Sequence, residues 1–521
     1  MPHSARAASS PCSCYETAAG PPGVQAKRQK SHMNPIEFRC SLDGPTVAFP
    51  HVWERIVGSG HATLALRADY QAQLRRAAHD IGFQYVRFHG LLSDDVGTLV
   101  QHDNNRIHSF FNAHRIWDAV LDAGMRPFVE LSFMPTAIAS GHATVFHYHG
   151  NVTPPRDWDD WSELVRRLAA SAVARYGAPE VEQWFFEVWN EPNLRSFWRG
   201  TRAQYFRLYR EAARALREIS PELRVGGPAT ARNAWIDEFL DDCERTQTPV
   251  DFVSTHHYPT DRTVNVSDDT EMQLAAMQRD ILREEAQDAR RRARGKPLFY
   301  TEWNTSADGH DPRHDEPYAA AFIVKTVLQA NGVVDAYSFW TFSDIFEEQY
   351  FPSHAFHGGF GLLTLDGIAK PSYRAFQLLH HVGTELITPM DGMHANVAAW
   401  VIRSGNRITV LVVNSAPPQH DLVPESVVVH IASKVTVRTA TIERIDDTHA
   451  NAKQRWLEMG APEYLRQADV DALHSASALD VEPYHVNSDD NGIHVAVDLP
   501  PNGIAAVTLD LAGDLPRGGN G

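Results

Sequence analysis

The chain has 521 residues, and 48 lysines and arginines against 65 aspartates and glutamates give it a formal charge of −17. This excess of acid argues against a nucleic-acid partner. Hydrophobic residues make up 43% of the chain and charged residues 22%, as in soluble globular proteins. No run of about 18 apolar residues indicates a membrane span, so a membrane partner is not expected either.

The N-terminal segment has a composition unlike the rest of the chain. Residues 1–34 are rich in Ser, Ala, Pro and Gly and lack the apolar stretch of a secretion signal, which predicts a disordered leader. The chain has four cysteines, which form neither a disulfide framework nor a zinc pattern: Cys12, Cys14, Cys40 and Cys243. We therefore expect a reduced, cytoplasmic protein.

Residues 51–384 alternate between short apolar runs and amphipathic stretches. In one such unit Asp69 is expected to cap a helix that Gly82 ends, and in another Thr201 and Gln204 form the T-x-x-Q of a capping box. Eight strands are predicted, at 54–58, 85–90, 127–133, 183–190, 225–228, 252–258, 298–304 and 336–344. Eight βα units without a Gly-rich dinucleotide fingerprint predict a TIM (β/α)8 barrel rather than a Rossmann sheet.

The pattern changes at residue 385. Helical periodicity disappears through residue 515, and β-branched, roughly alternating segments are separated by Gly, Pro, Asn and Asp. Strands are predicted at 395–403, 407–414, 426–431, 435–442, 492–499 and 504–511. These strands predict a C-terminal β-sandwich, to which the similar segment 35–50 is expected to add a strand.

Two of the predicted barrel strands end in a glutamate. The run Trp184 to Asn193 is aromatic and apolar until Asn190 and Glu191, and the run Pro297 to Asn304 is interrupted by Glu302. The C-terminal ends of barrel strands open into the active-site face, so both acids are expected there.

Paired carboxylates suit glycoside hydrolysis, because one protonates the leaving oxygen while the other meets the developing oxocarbenium ion. For a single acid at a strand end, a structural salt bridge to an arginine is the simpler interpretation. Two acids in comparable aromatic contexts favour the catalytic interpretation.

The segment W-F-F-E-V-W-N-E-P-N, residues 184–193, resembles the signature of glycoside hydrolase family 39, the family of β-xylosidases and α-L-iduronidases. The similarity extends over most of residues 36–515 and includes V-R-F-H-G at 86–90 and T-E-W at 301–303. It implies a (β/α)8 retaining glycosidase with Glu191 as acid/base and Glu302 as nucleophile, their carboxyl groups about 5 to 5.5 Å apart.

The resemblance also implies seven sugar-binding residues: Asn190, His256, Tyr258, Trp340, Glu347, Glu348 and His89. Asn190 would bond the sugar 2-OH, and Tyr258 would lie beside the nucleophile. Strand alternation puts His256 and His257 on opposite faces, and His256 is the expected inward residue. Trp340, which by itself is equally typical of core packing, would form the floor of the sugar site and carry a cis peptide bond to Thr341.

The expected activity is that of a retaining exo-β-glycosidase, specifically a β-xylosidase acting on small xylo-oligosaccharides or aryl and alkyl glycosides. An α-L-iduronidase-like enzyme, an endo-acting glycanase and a non-catalytic carbohydrate-binding barrel stay open as alternatives. No cofactor or metal is expected, because the cluster His310, Asp311, His314 and Asp315 has ligand residue types without tight ligand spacing. That cluster is interpreted as a polar loop at the rim of the cleft.

Overall fold

The computed structural model describes residues 34–512 except 104, 267, 268 and 349. The predicted leader, apart from Asn34, lies outside the described residues. Within these ranges no helix is both long enough and apolar enough to cross a membrane. The first two strands, β1 (Ile36–Ser41) and β2 (Thr46–Ala48), precede the barrel.

The following elements, given in chain order, build the barrel and its loops. They are β3 (Ile56–His61), α1 (Ala68–Ile81), β4 (Tyr85–His89), β5 (Leu99–His102), β6 (Asn105–His108), α2 (Phe111–Asp122), β7 (Arg126–Glu130), β8 (Thr144–Val145), β9 (Gly150–Asn151), α3 (Trp158–Tyr176), α4 (Ala178–Val181), β10 (Phe185–Glu187), α5 (Arg202–Ile219), β11 (Arg224–Thr230), α6 (Ile236–Thr246), β12 (Phe252–His256), α7 (Thr270–Ala275), α8 (Ile281–Arg292), β13 (Leu298–Trp303), α9 (Pro317–Gln329), β14 (Ala336–Phe339) and α10 (Pro371–His381). Eight parallel strands close in the order β3-β4-β7-β10-β11-β12-β13-β14. The predicted TIM barrel is confirmed.

All eight predicted strands are barrel strands, and two local predictions about helix ends are also confirmed. Gly82 ends α1 with a φ of 79°, the left-handed conformation that glycine adopts readily. Thr201 and Gln204 exchange both hydrogen bonds of a capping box at the start of α5. The predicted cap of α1 is wrong, because the helix begins after Arg67 and Asp69 lies in its first turn.

The inside of the barrel is layered. At the N-terminal end of the strands, one buried cluster consists of Ile56, Tyr85, Phe128, Phe185, Phe252, Phe299 and Ala336. Two residues further along three of these strands, on the same face, lie the buried polar residues Arg87, Glu130 and Glu187. The aromatic layer therefore closes the bottom of the barrel, and the polar layer above it supports the mouth.

The elements after the barrel are mostly strands. They are β15 (Glu385–Ile387), β16 (Val397–Ser404), β17 (Arg407–Asn414), β18 (Glu425–Ala432), β19 (Val437–Ile445), α11 (Ala452–Glu458), α12 (Gln467–Ala476), β20 (Glu482–Pro483), β21 (Asn487–Asp489), β22 (Gly492–Leu499) and β23 (Ile504–Leu511). One sheet has the order β1-β18-β22-β21 and another the order β2-β15-β16-β17-β23-β19-β20. Side chains of both sheets, such as Val429 and Val410, share one buried hydrophobic cluster.

The expectation that helices end at residue 385 is wrong. Helices α11 and α12 have 7 and 10 residues, too few turns for a clear apolar period. Their Trp456 and Leu473 pack with Phe356 and Ile368, which follow β14. The two helices therefore cover a barrel loop rather than extend the sheets.

Candidate active site

Glu191 and Glu302 face each other at the C-terminal mouth of the barrel. Glu191 follows β10 in a left-handed conformation with a φ of 43°, and its backbone N–H donates to Ala229 O at 2.8 Å. One carboxylate oxygen of Glu191 and one of Glu302 lie within 4.8 Å of each other. This limit on one oxygen of each carboxyl group is compatible with the roughly 5 to 5.5 Å between the carboxyl groups of retaining glycosidases.

A bulge in β13 presents two consecutive side chains to the barrel interior. Thr255 pairs with Tyr300 and His256 with Glu302, so Thr301 has no partner residue in the pairing. A bulge of this kind re-aims side chains. Thr301 Oγ1 donates to Glu187 Oε1 at 2.8 Å, while the adjacent Glu302 faces the mouth.

Arg87 connects the polar residues beneath the mouth. Its Nε donates to Glu187 Oε2 at 2.6 Å and its Nη1 to Glu302 Oε1 at 2.8 Å. Its Nη2 donates to Asn190 Oδ1 at 2.9 Å and lies 2.8 Å from Glu130 Oε2. Sequence reasoning assigned no role to Arg87, although a single cation inside an apolar strand is a signal of a buried ion pair.

The two carboxyl groups have different surroundings. Burial raises the pKa of Glu191 from 4.5 to about 7, although His89, Arg87 and Arg232 favour its charged form. Glu302 accepts from Arg87 and from the Tyr258 hydroxyl, the latter at 3.1 Å. Glu191 is therefore the acid whose surroundings favour the protonated form, while Glu302 accepts two hydrogen bonds, one of them from a cation.

The adjacent histidines point in opposite directions. His256 Nδ1 lies 3.0 Å from Glu191 Oε1 and 3.5 Å from Glu302 Oε2. Burial lowers the pKa of His256 to about 4, so its ring is neutral near neutral pH. The ring of His257 instead stacks on Tyr300 with centroids 3.8 Å apart, outside the mouth.

Trp340 and His89 form one wall of the mouth. Their ring centroids are 4.8 Å apart, and the Trp340–Thr341 peptide bond is cis, as the family resemblance predicts. Residue 58 is glycine because a Cβ there would lie 2.4 Å from the indole. His89 Nδ1 lies 2.7 Å from Glu130 Oε2, and its Nε2 lies 3.7 Å from Glu302 Oε1.

Glu348 joins this group of residues, whereas Glu347 does not. Glu348 Oε1 lies 3.5 Å from His89 Nε2, and burial raises the pKa of Glu348 to about 8. Glu347 faces outward to His147, with 3.8 Å between the carboxylate and Nε2. The structure therefore brings eight of the nine predicted residues together and leaves Glu347 at the rim.

The segment predicted to be a polar loop at the rim of the cleft, residues 310–315, contains three buried side chains: Asp311, His314 and Asp315. Asp315 Oδ1 lies 2.7 Å from Lys370 Nζ, whose second partner is Asp344 Oδ2 at 2.8 Å. These ionic contacts anchor both ends of the segment that carries Glu347 and Glu348.

Among the described residues, two groups of His and Glu bring three potential ligand atoms within 4.8 Å of one another. One is Glu191, His256 and Glu302. In the other, the Nδ1 atoms of His51 and His380 lie 2.7 and 2.9 Å from the same oxygen of Glu54. These are hydrogen-bond distances, so the second group is explained without a metal.

Comparisons with known proteins identify the family. The family model described as "Glycosyl hydrolases family 39" matches residues 41–487. The chain is 44% identical over 464 residues to a Caldicellulosiruptor saccharolyticus protein named "Beta-xylosidase", covering 88% of this chain and 95% of that one. It is 36% identical over 482 residues to a Geobacillus stearothermophilus protein of the same name, covering 89% and 94%.

A solved structure gives the same result. The GH39 enzyme from Xanthomonas axonopodis pv. citri superimposes with a TM-score of 0.82 at 30% identity, covering 93% of this chain and 99% of that one. Fold and sequence therefore agree over nearly the whole chain. This protein belongs to glycosyl hydrolases family 39 and is a glycoside hydrolase.

Proposed function

We propose that this protein is a retaining exo-β-glycosidase that acts as a β-xylosidase. The observation that carries the proposal is the pair Glu191 and Glu302, with one oxygen of each within 4.8 Å of the other. Burial raises the pKa of Glu191 to about 7, and Glu302 accepts a hydrogen bond from Arg87. The names of the two long matches supply the sugar, since both relatives are called beta-xylosidases.

In the first step, Glu302 attacks the anomeric carbon as Glu191 protonates the departing glycosidic oxygen. The product is a covalent glycosyl-enzyme with Glu191 ionised. In the second step Glu191 removes a proton from water, which displaces Glu302 and releases the sugar. Two inversions give net retention at the anomeric carbon.

The remaining residues of the mouth bind the sugar. Because Asn190 Oδ1 accepts from Arg87, its amide group is left to donate to the 2-OH, a bond that strengthens in the transition state. The indole face of Trp340 suits the C–H face of a pyranose. His89 and Glu348 lie beside them and provide partners for the outer hydroxyls.

The residue types and depth of the site favour a neutral terminal sugar. Glu347, Glu348 and Asp95 surround the mouth with acidic side chains, none of which offers a positive partner to the carboxylate of an iduronide. The side chains of Glu191 and Glu302 are only 11% and 7% exposed. A pocket this closed fits a chain end better than the middle of a polysaccharide.

The four-stranded and seven-stranded sheets outside the barrel support a proposal about how they pack. Their side chains share one buried hydrophobic cluster, as in sheets packed face to face. We assign them to a single β-sandwich, which includes β1 and β2.

A panel of nitrophenyl glycosides tests the proposal. The β-xyloside should be cleaved at least tenfold more efficiently, by kcat/KM, than the β-glucoside or the α-L-iduronide. The expected first-formed product has the β configuration by NMR, and xylo-oligosaccharides should lose one sugar at a time. Equal kcat/KM for xyloside and glucoside would contradict the sugar assignment, and the absence of cleavage of any glycoside would contradict catalysis.

A further inference from the structure

A chain of four side chains joined by hydrogen bonds runs beneath the acid/base. Glu187 Oε1 accepts from Thr301 Oγ1 at 2.8 Å, and Thr301 Oγ1 lies 3.1 Å from His256 Nε2. His256 Nδ1 in turn lies 3.0 Å from Glu191 Oε1. Glu187, Thr301 and His256 are fully buried, so their side chains are not exposed to bulk solvent.

The direction of each bond follows from the first one. Glu187 is paired with Arg87 at 2.6 Å, and an ionised carboxylate only accepts. The single hydroxyl proton of Thr301 is therefore donated to Glu187, and its oxygen can only accept from His256. Nε2 must then carry the ring proton.

The other end of the histidine completes the argument. A neutral imidazole has one donor and one acceptor nitrogen, so a proton on Nε2 leaves a lone pair on Nδ1. Glu191 Oε1, at 3.0 Å, makes a hydrogen bond to that lone pair only when it carries a proton itself.

We propose that Thr301 is a positioning residue that fixes the Nε2–H tautomer of His256 and thereby keeps the catalytic proton on Glu191. The inference rests on the proposed function and deepens it. Once Glu191 has given its proton to the leaving group, it faces a lone pair rather than a donor. Its charge is then poorly stabilised, which makes it a stronger base for the second step.

Other ionisable groups also act on Glu191. They come from every neighbouring strand or loop of the mouth: Arg87, His89, Glu130, Arg232, His256, Tyr258, Asp261, Glu302 and Glu348. A Thr301 substitution changes none of these charges. A shift caused by it therefore reports the tautomer rather than the surrounding field.

The variant T301V keeps the side-chain shape and removes the hydroxyl. His256 is then free to carry its proton on Nδ1, where it donates to the Glu191 carboxylate and favours the charged form. We expect the alkaline limb of kcat/KM for a phenyl glycoside to move down by about one pH unit. T301S should restore the wild-type limb.

The matched control is T255V on the adjacent strand. Thr255 is fully buried, and its hydroxyl donates to the backbone carbonyl of Thr230 at 2.7 Å, so it takes no part in the hydrogen bonds that lead to Glu191. The alkaline limb of kcat/KM in T255V should stay at the wild-type position. An unmoved limb in T301V, or an equal shift in T255V, would overturn the proposal.

Infrared titration provides a readout that needs no substrate. The infrared band of a protonated carboxyl group that is absent from E191Q belongs to Glu191. The pH at which this band has half its intensity should fall in T301V by the same amount as the alkaline limb of kcat/KM. A shifted midpoint in a protein that cleaves no xyloside would uphold the inference and reject the sugar assignment. If T301V leaves the midpoint of the band unchanged in a protein that cleaves xylosides, the inference is rejected and the sugar assignment is upheld.

Neutron diffraction of the wild-type protein keeps the test independent of how T301V folds. Burial moves the pKa of His256 to about 4 and that of Glu191 to about 7. At a pH between these two values, we expect deuterium on His256 Nε2 and on the Glu191 carboxyl group. Deuterium on His256 Nδ1 would refute the proposal.

Discussion

Arg87 donates from Nη1 to Glu302 Oε1 at 2.8 Å, from the layer directly below the barrel mouth. The same guanidinium contacts Glu130 and Glu187, so one cation faces three carboxylates. Glu302 therefore has a charged hydrogen-bond donor from below, and the two supporting acids hold that cation in place.

Removing this cation should damage the fold as well as the activity. Arg87→Met leaves Glu130, Glu187 and Glu302 without their buried cationic partner, and we expect a loss of about 3 to 5 kcal/mol in the free energy of unfolding. Urea denaturation measures it. The control Arg207→Met removes an exposed arginine that lies 3.5 Å from Glu211, and it should change stability by less than about 1 kcal/mol. Equal losses in both variants would show that Arg87 is not central to the layer.

Glu302→Ala should abolish turnover for every substrate. The covalent route requires a carboxylate at this position, so kcat should fall by several orders of magnitude whether the leaving group is activated or natural. Steady-state kinetics with nitrophenyl and natural xylosides measure the loss. Activity within tenfold of wild type would exclude Glu302 as the nucleophile.

Glu191→Ala should behave differently. A nitrophenolate leaves with little protonation, so glycosylation of Glu302 continues while deglycosylation lacks its base. We expect a burst of nitrophenol followed by slow turnover, which azide accelerates with formation of a β-glycosyl azide. A variant equally inactive on all substrates, without burst or azide response, would mean that Glu191 is structural.

Much of this site follows from local patterns. Glu191 and Glu302 are recognisable because each interrupts an aromatic strand at the end that faces the mouth. The sequence gives no such signal for Arg87, Glu187 and Thr301. A polar residue within an apolar strand has the same sequence pattern whether it supports a site or makes one isolated contact in the core. Their roles depend on which strands become neighbours and on the β13 bulge, neither of which is encoded within a single segment.

Burial of Glu191 should make stability depend on pH. Because burial raises the folded-state pKa from 4.5 to about 7, the native protein holds this proton more tightly than the unfolded chain. The resulting stability is full below about pH 4.5 and is lost as the pH rises through about 7. E191Q should therefore match wild type at low pH and exceed it at pH 8 by up to about 3 kcal/mol, measured by urea denaturation. E222Q, at an exposed position, should show no such difference.

Lys370 should affect substrate binding through the segment that carries Glu348. Lys370→Met removes the ammonium that faces Asp315 and Asp344 and donates to Gly359 O at 2.9 Å. With the segment carrying Glu348 released, KM should rise about tenfold and more than kcat falls. Steady-state kinetics separate the two terms.

The control for this prediction is Lys325→Met. Lys325 lies on α9, and its Nζ is 3.4 Å from Asp280, on the outer face of the barrel. Its KM should stay at the wild-type value. A kcat loss without a KM change in the Lys370 variant would contradict the proposed role in binding.

The first two strands have a consequence for how the protein is made. β1 pairs along its length with β18, and β2 pairs with β15, so each of these two sheets contains one strand that precedes the barrel in sequence and others that follow it. During synthesis β1 therefore has no partner strand until the ribosome has completed the barrel and β18. A gene truncated at residue 384 would encode all eight barrel strands but neither β15 nor β18. It would leave β1 and β2 unpaired, and unpaired strands are prone to aggregate.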